Sequence, residues 1–355
     1  MEERDYIIKL HLIENTDFFA IITKHNFFKI YNYDFMAPII SFDLKDKYID
    51  FCFGPCLDFS WLRFTAFFLN TAGDVFYICP LFLPKFELTI DYYSKMREFY
   101  ENSIKSEINY ELKKEYEFNM IILEEIKKSS VIKSNSRLKV ELNHYLKNLN
   151  LTNSFNLRNL LIVNKTFPST QKDLGNQKEI SIYNQIYSLN FWPLTLVLAT
   201  NNGVFEFVVF TDHINPTITN YNYENKIGFL LKAINLDSDI TTFPNLKINL
   251  LYNPSKKYEI LIQYLHDILL VDLSWIEINL SNLSISSTKI HKFQSKATFE
   301  IEKITKINYS NAIKAIKENN NKNSKQLYGY YGLINELNFS FKLFFLGTDL
   351  FLINV

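Results

Sequence analysis

Residues 18–31 read FFAIITKHNFFKIY, an apolar run, a short polar break and a second apolar run, which is the pattern of a β-hairpin. The same shape returns at 64–79 (FTAFFLNTAGDVFYIC), 194–209 (LTLVLATNNGVFEFVV), 258–273 (YEILIQYLHDILLVDL) and 341–355 (FKLFFLGTDLFLINV). The later breaks are Ala72-Gly73-Asp74, Asn201-Asn202-Gly203, His266-Asp267 and Gly347-Thr348-Asp349. These residues tolerate positive φ or hydrogen-bond their own backbone, and Asn stands in where Gly is scarce. Runs such as Phe67-Phe68-Leu69 and Leu343 to Leu346 are apolar on both faces, so these strands are expected to be covered on both sides.

Recurrence of one hairpin at uneven spacing predicts an all-β fold, a β-propeller of four-stranded blades, with a double sandwich as the structural alternative. Seven blades would take about 50 residues each, and six remain compatible because the hairpins are sparse between Lys85 and Phe191. The whole of 1–355 then reads as a single domain. The opening stretch DYIIKLHLI sets Ile8, Leu10 and Leu12 on one face and Lys9 and His11 on the other. It is expected to complete the last blade and so protect both edges of the ring.

One region breaks the alternation. From Asp91 to Lys128 the apolar positions Tyr93, Met96, Tyr100, Ile104, Ile108, Leu112, Tyr116, Ile122 and Ile126 recur every three or four residues with no Pro or Gly, which predicts one long amphipathic helix. A second helix is expected from Ser136 to Asn150, with Leu138, Leu142, Tyr145, Leu146 and Leu149 on one face and Ser134 to Ser136 offering a cap. This helical insertion, about 91–150, reads either as a cover laid on a blade or as a docking site for a partner helix. A further helical stretch, Tyr309 to Lys317, leads into ENNNKNSKQ, expected to be a disordered surface loop at about 317–326.

Composition narrows the function. The chain is 47% hydrophobic with 22 Tyr and 32 Phe, a packed globular profile. Lys plus Arg equals Asp plus Glu at 38 each, which argues against nucleic acid or anionic lipid as a direct ligand. No apolar run approaches the ~20 residues that span a bilayer, and the N-terminus has no signal-peptide pattern. Three cysteines do not make a secreted disulfide framework, so a cytoplasmic or nuclear protein is expected. The sequon Asn150-Leu-Thr reads as a chance occurrence in an Asn-rich chain.

Candidate chemistry is thin. Cys52, Cys56 and Cys79 lack a second metal-ligand pair, His25 is the only histidine near them in sequence, and Phe51, Phe53 and Ile78 favour inert core thiols. His266-Asp267 with Asp272 matches part of the metal-dependent HD phosphohydrolase pattern, but between two β-like runs a hairpin turn explains it more simply. Glu124-Glu125 reads as a solvated helix face, and Trp61, Trp192 and Trp275 as packing beside strands. Phosphate-loop, dinucleotide, nucleophile-elbow and zinc-helix motifs are missing, so no catalytic, cofactor-binding or metal residue is assigned and no cofactor is expected. Phe-Gly occurs once, at Phe53-Gly54, so this is not a repeat chain that binds transport receptors.

The stretch 50–84, DFCFGPCLDFSWLRFTAFFLNTAGDVFYICPLFLP, resembles the signature of the cytoplasmic-face nucleoporin family, with its fungal eighty-two-kilodalton and metazoan eighty-eight-kilodalton members. That signature is an Asp between hydrophobic residues leading into Phe-Gly-Pro, then a Trp, an aliphatic strand, a Gly-Asp turn and a strand ending in Cys-Pro. Phe53, Gly54, Pro55, Trp61, Gly73, Asp74, Cys79 and Pro80 match it, and the hairpins at 194–216, 258–278 and 341–355 are similar to the family's later blades. The resemblance implies a seven-bladed N-terminal propeller at the cytoplasmic face of the nuclear pore complex, a non-enzymatic scaffold in the module that positions messenger-RNA export. It implies two partners, the C-terminal tail of a Phe-Gly nucleoporin and the autoproteolytic domain of a second one, with no direct nucleic acid and no membrane insertion. The partner-contacting residues are not carried over, because the family's interface loops do not align. The family continues into a coiled-coil region, whereas this sequence ends with the last expected blade. A propeller of another assembly, such as a coat or a ligase adaptor, is the alternative reading.

Overall fold

The computed structural model describes residues 5–13, 16–34, 37–55, 60–134, 136–154, 157–163, 182–190, 192–201, 203–210, 213–216, 226–235, 248–252, 259–264, 267–272, 304–308, 333–335, 341–346 and 350–354. Cys56, Trp275, His266, the stretch Tyr309 to Lys317 and the loop at about 317–326 lie outside them. The chain divides into two compact units, residues 1–242 and 243–355.

In the first unit, β1 (Ile7–Leu12), β2 (Phe18–Thr23), β3 (Phe27–Asn32) and β4 (Ile40–Asp43) form an antiparallel sheet in sequence order. The β2–β3 turn is made by Asn26 at φ 63°, the Asn-for-Gly substitution expected from the sequence. The opening strand differs from expectation. Instead of completing the last blade, β1 pairs with β2, with Leu10 opposite Ile21. The two faces separate as the alternation predicts, and it is the aliphatic one that is exposed: Ile8, Leu10 and Leu12 face outward, while Lys9 and His11 turn toward the sheet that follows. The cause is a buried carboxylate on that sheet, described below, which holds Lys9.

That sheet has eight strands, in two halves. One half is β5 (Tyr48–Phe53), β6 (Ala66–Asn70), β7 (Val75–Ile78) and, after a long insertion, β11 (Arg158–Val163). The other is β12 (Tyr183–Ser188), β13 (Leu194–Thr200), β14 (Val204–Phe210) and β15 (Lys226–Asn235), and the halves meet where β11 runs parallel to β15. Burial of Phe67, Phe68 and Leu69 at 0% exposure explains the two-sided apolar run. Phe67 and Leu69 join the core that reaches the insertion, whereas Phe68 and Ala66 join a second core against the first sheet.

The insertion between β7 and β11 comprises β8 (Lys85–Thr89), α1 (Ile90–Ser106), α2 (Tyr110–Lys128), β9 (Ser130–Ser134), β10 (Arg137–Glu141) and α3 (His144–Ser154). Two expectations change here. The single helix over 91–128 is a hairpin of two, because Asn109 caps a new start: its Oδ1 accepts from the N–H of Glu111 and Leu112. The helix expected at 136–150 begins only at His144, with Asn143 Oδ1 accepting from Leu146 N. Ahead of it, Arg137–Glu141 is a strand, burying Leu138 and Val140 and exposing the residues between. Spacings of four residues from Leu138 onward satisfy both periods, so the pattern misassigned the segment.

In the second unit, β16 (Ile248–Tyr252), β17 (Glu259–Tyr264), β18 (Asp267–Asp272) and β19 (Ile304–Asn308) form one antiparallel sheet, and β20 (Leu333–Asn335), β21 (Phe341–Leu346) and β22 (Leu350–Asn354) another. Every hairpin read from the sequence therefore exists as an antiparallel pair.

Candidate functional site at the signature segment

Of the signature residues, Phe53 ends β5, Gly54 and Pro55 follow it, Trp61 lies in a turn before β6, Gly73 and Asp74 make the β6–β7 turn, and Cys79 and Pro80 follow β7; Pro55, Trp61, Gly73, Cys79 and Pro80 are buried. After β5 the chain bends at Gly54, whose N–H donates to the Thr65 carbonyl. A Cβ at this position would lie 2.2 Å from the Leu62 carbonyl oxygen, so the close backbone approach excludes a side chain. Gly54→Ala is expected to lower stability by about 2 kcal/mol or more in urea unfolding, since main chain, not a flexible side chain, must shift. The β6–β7 turn is set by Gly73 at φ 79° and by a reciprocal pair, Asp74 N–H donating to Asn70 Oδ1 and Asn70 Nδ2 donating to Asp74 Oδ2.

Trp61 opens a 3₁₀ turn (Trp61–Phe64) capped by Ser60. Its Nε1–H donates to Tyr100 Oη of α1 at 2.8 Å, and that hydroxyl donates to Asn215 Oδ1 at 2.8 Å. Asn215 Nδ2 donates to Glu115 Oε1 of α2 at 3.1 Å, while Asn119 Nδ2 donates to the carbonyls of Glu115 and Pro216. Tyr92 Oη adds a bond to the Ser60 carbonyl at 2.6 Å, and Arg63 lies over the rings of Phe64 and Tyr92. Burial pushes the Glu115 carboxyl pKa upward, opposed by Lys226, the Asn215 bond and Arg158. Asn150 of α3 closes the seam: its Oδ1 accepts from Phe82 N and its Nδ2 donates to the Phe82 carbonyl. The sequon residue is thus a buried clamp. The insertion covers the sheet with the buried face of α1 (Tyr92, Tyr93, Met96, Tyr100) and of α2 (Ile122, Leu123, Ile126).

At the other end of the segment, Asp50 on β5 is 1% exposed and meets Lys9 Nζ of β1 at 2.9 Å. Its second oxygen accepts from the Ile186 N–H of β12 at 3.0 Å, and Ser188 Oγ donates to the Phe53 carbonyl. One carboxylate therefore ties the first strands of three successive four-stranded sets. Burial raises its pKa, and Lys9 with the N–H groups of Ile186 and Phe51 counters this only in part.

His11 packs on the rings of Phe51 and Phe53, and burial, with Lys9 beside it, lowers its pKa from 6.5 to about 4. The unfolded chain protonates this histidine at a higher pH than the folded one, so acidification through that window favours unfolding. Stability is expected to fall by roughly 2 kcal/mol from pH 7 to pH 5 relative to a His11→Gln variant. Comparing the two proteins cancels the opposite contribution of Asp50, whose raised pKa favours the folded state on acidification.

The two described thiols, Cys52 and Cys79, are not poised for chemistry. Burial pushes Cys79 up to about 12 and Cys52 further still, so neither is a thiolate at neutral pH. Among the described residues no group of three His, Cys, Asp or Glu side chains is placed to hold a metal ion. Asp267 and Asp272 begin and end β18, the strand setting rather than the helical one that HD chemistry requires. No helix of the described residues is long and apolar enough to cross a membrane.

No protein-family model and no curated protein matches the chain. Solved structures do. A chain of the yeast heterotrimeric Nup82–Nup159–Nup116 nucleoporin complex aligns with a TM-score of 0.63 at 14% identity, over 100% of this chain and 76% of that one. A chain of the Chaetomium thermophilum heterotrimeric Nup82 NTD–Nup159 TAIL–Nup145N APD complex aligns with a TM-score of 0.64 at 11% identity, over 99% and 74%. The chain shares the β-propeller fold of these two chains. The all-β propeller expected from the hairpins and the resemblance at 50–84 thus point to the same group of structures. The sequence pattern singles out Trp61 and Gly54 and puts Tyr100 on the apolar stripe of the insertion, but it does not reach Glu115, Asn119 or Asn215. Two polar residues on the apolar stripe of α2, Glu115 and Asn119, were the available signal.

Proposed function

We propose that the chain is a non-enzymatic scaffold nucleoporin, a single propeller domain of seven blades over 1–355, at the cytoplasmic face of the nuclear pore complex. The observation that supports this is the alignment of nearly the whole chain with chains from two nucleoporin complexes, in which Nup82 is assembled with Nup159 and with Nup116 or Nup145N. By analogy, its partners are the C-terminal tail of one Phe-Gly nucleoporin and the autoproteolytic domain of a second, held for messenger-RNA export and nucleocytoplasmic transport. The buried, hydrogen-bonded seam between sheet and insertion suits this role, since a scaffold must present partner surfaces in fixed geometry.

The test is co-purification of the full-length protein from its own cells. Recovery of Phe-Gly nucleoporins, together with a nuclear-rim signal for the tagged protein, is the expected result. Recovery of coat or ligase subunits without any nucleoporin would overturn the reading in favour of another propeller assembly.

A further inference from the structure

The three-stranded sheet of the insertion runs β8-β10-β9, so β9 is an edge strand, and no described strand pairs with its outer side. Its register opposes Val131 to Lys139, Ser130 to Val140 and Ile132 to Leu138. Glu141 N–H donates to the Ser129 carbonyl, and bonded pairs alternate with non-bonded ones in an antiparallel ladder. Val131 therefore spends its main-chain groups on β10, while those of Ser130 and Ile132 face the open side.

Natural edges are usually blunted by charge, proline or cover. This one has a single charge, Lys133, and beside it carries Val131 at 71% exposure and Ile132 at 62%. The two side chains stand on opposite faces: Ile132 continues the row of the buried Leu138 and Val140, whereas Val131 shares the outer face with Lys139.

Charge names the occupant. The chain as a whole is neutral, yet residues 127–139 hold Lys127, Lys128, Lys133, Arg137 and Lys139 and no acidic residue. Lys128, Arg137 and Lys139 have carboxylates at 2.8, 3.4 and 3.9 Å, from Glu125, Glu87 and Glu141. These are surface pairs worth little, which a better-placed anion replaces at small cost.

We propose that the open edge of β9 is a docking site for an extended acidic peptide that adds as a fourth strand. Its main chain bonds to Ser130 and Ile132. Its apolar side chains, at alternate positions, extend the row of Ile132 and Leu138, and its carboxylates stand on the face of Val131, two strand spacings or about 10 Å from Lys139 and Arg137 of β10, within reach of those long side chains. This surface is read from the chain alone and does not depend on which assembly the protein serves.

The probe is a labelled peptide of about twelve residues alternating Glu and Val, long enough to cover the strand, against the same peptide with Lys for Glu. Anisotropy titrations with the full chain are expected to show salt-sensitive binding of the acidic peptide and none of the basic one. Ile132→Pro deletes an outward N–H while sparing the Val131–Lys139 pair, and it should weaken binding at least about tenfold. Lys139→Glu should weaken it comparably with the edge main chain intact, so the two variants cross-check each other if one melts early. In the wild type, hydrogen exchange of the Ile132 amide should slow on adding peptide.

Equal binding of both peptides, or unchanged binding by a folded Ile132→Pro variant, would overturn the proposal. So would a single-stranded RNA that binds through Lys139 while the peptide does not. Co-purification of nucleoporins leaves this outcome untouched, so the two proposals fail separately.

Discussion

Replacing Asp50 with Ala is expected to lower the unfolding free energy by roughly 3–5 kcal/mol, a large share of a typical domain's stability. Asp50 is 1% exposed, and its only charge partner among the described residues is Lys9, itself 27% exposed and 2.9 Å away. Removing the carboxylate strands that ammonium and leaves the Ile186 N–H without its acceptor. The loss should appear as a lower urea midpoint at unchanged slope. A double variant, Lys9→Met with Asp50→Leu, is expected to recover much of it, because an apolar pair avoids the desolvation that the buried ion pair carries. A loss below about 1 kcal/mol for Asp50→Ala, the scale of an exposed pair, would show that the three strands are not held through this group.

Trp61→Ala is expected to cost roughly 3–5 kcal/mol and to loosen the helical hairpin. Trp61 is almost fully buried among Phe64 and Phe82, and its Nε1–H begins the chain of bonds through Tyr100 and Asn215 to Glu115. Hydrogen exchange should therefore quicken in α1 and α2 before it quickens in β2 and β3, which pack in the other core. Trp61→Phe retains most of the apolar area but leaves Tyr100 Oη without a donor, so about 1–2 kcal/mol is expected. Protection of α1 unchanged in the Ala variant would show that the seam does not depend on Trp61.

The parts of the fold legible in the sequence are those decided over a few residues. The hairpins announced themselves because Gly73 and Gly203 supply positive φ between apolar runs, and Asn26 does so without a glycine. The two-sided burial around β6 followed from Phe67-Phe68-Leu69, which has no polar face to offer water. The helix break at Asn109 was missed because the apolar spacing passes smoothly through Ile108, although that residue is almost wholly exposed at the apex of the hairpin. Arg137–Glu141 was missed because its neighbours Leu142 and Leu146 prolong the same spacing into α3.

For the candidate site, local pattern reached Gly54, Trp61 and the Gly73-Asp74 turn, whose demands on the backbone or the core are visible in the residues themselves. It did not reach their partners. Tyr100 lies 39 residues from Trp61 and Asn215 lies 115 from Tyr100, and nothing in the spacing pairs them.

By itself, then, the sequence determined the β-hairpin architecture and the presence and place of the helical insertion, because turn chemistry and hydrophobic period act over neighbouring residues. Only the tertiary structure decided that β1 belongs to the first sheet and that Lys9, not Ile8 or Leu10, faces inward. A buried carboxylate from a distant strand and the backbone of a third strand set that choice, since desolvating Asp50 without partners costs more than exposing three aliphatic side chains.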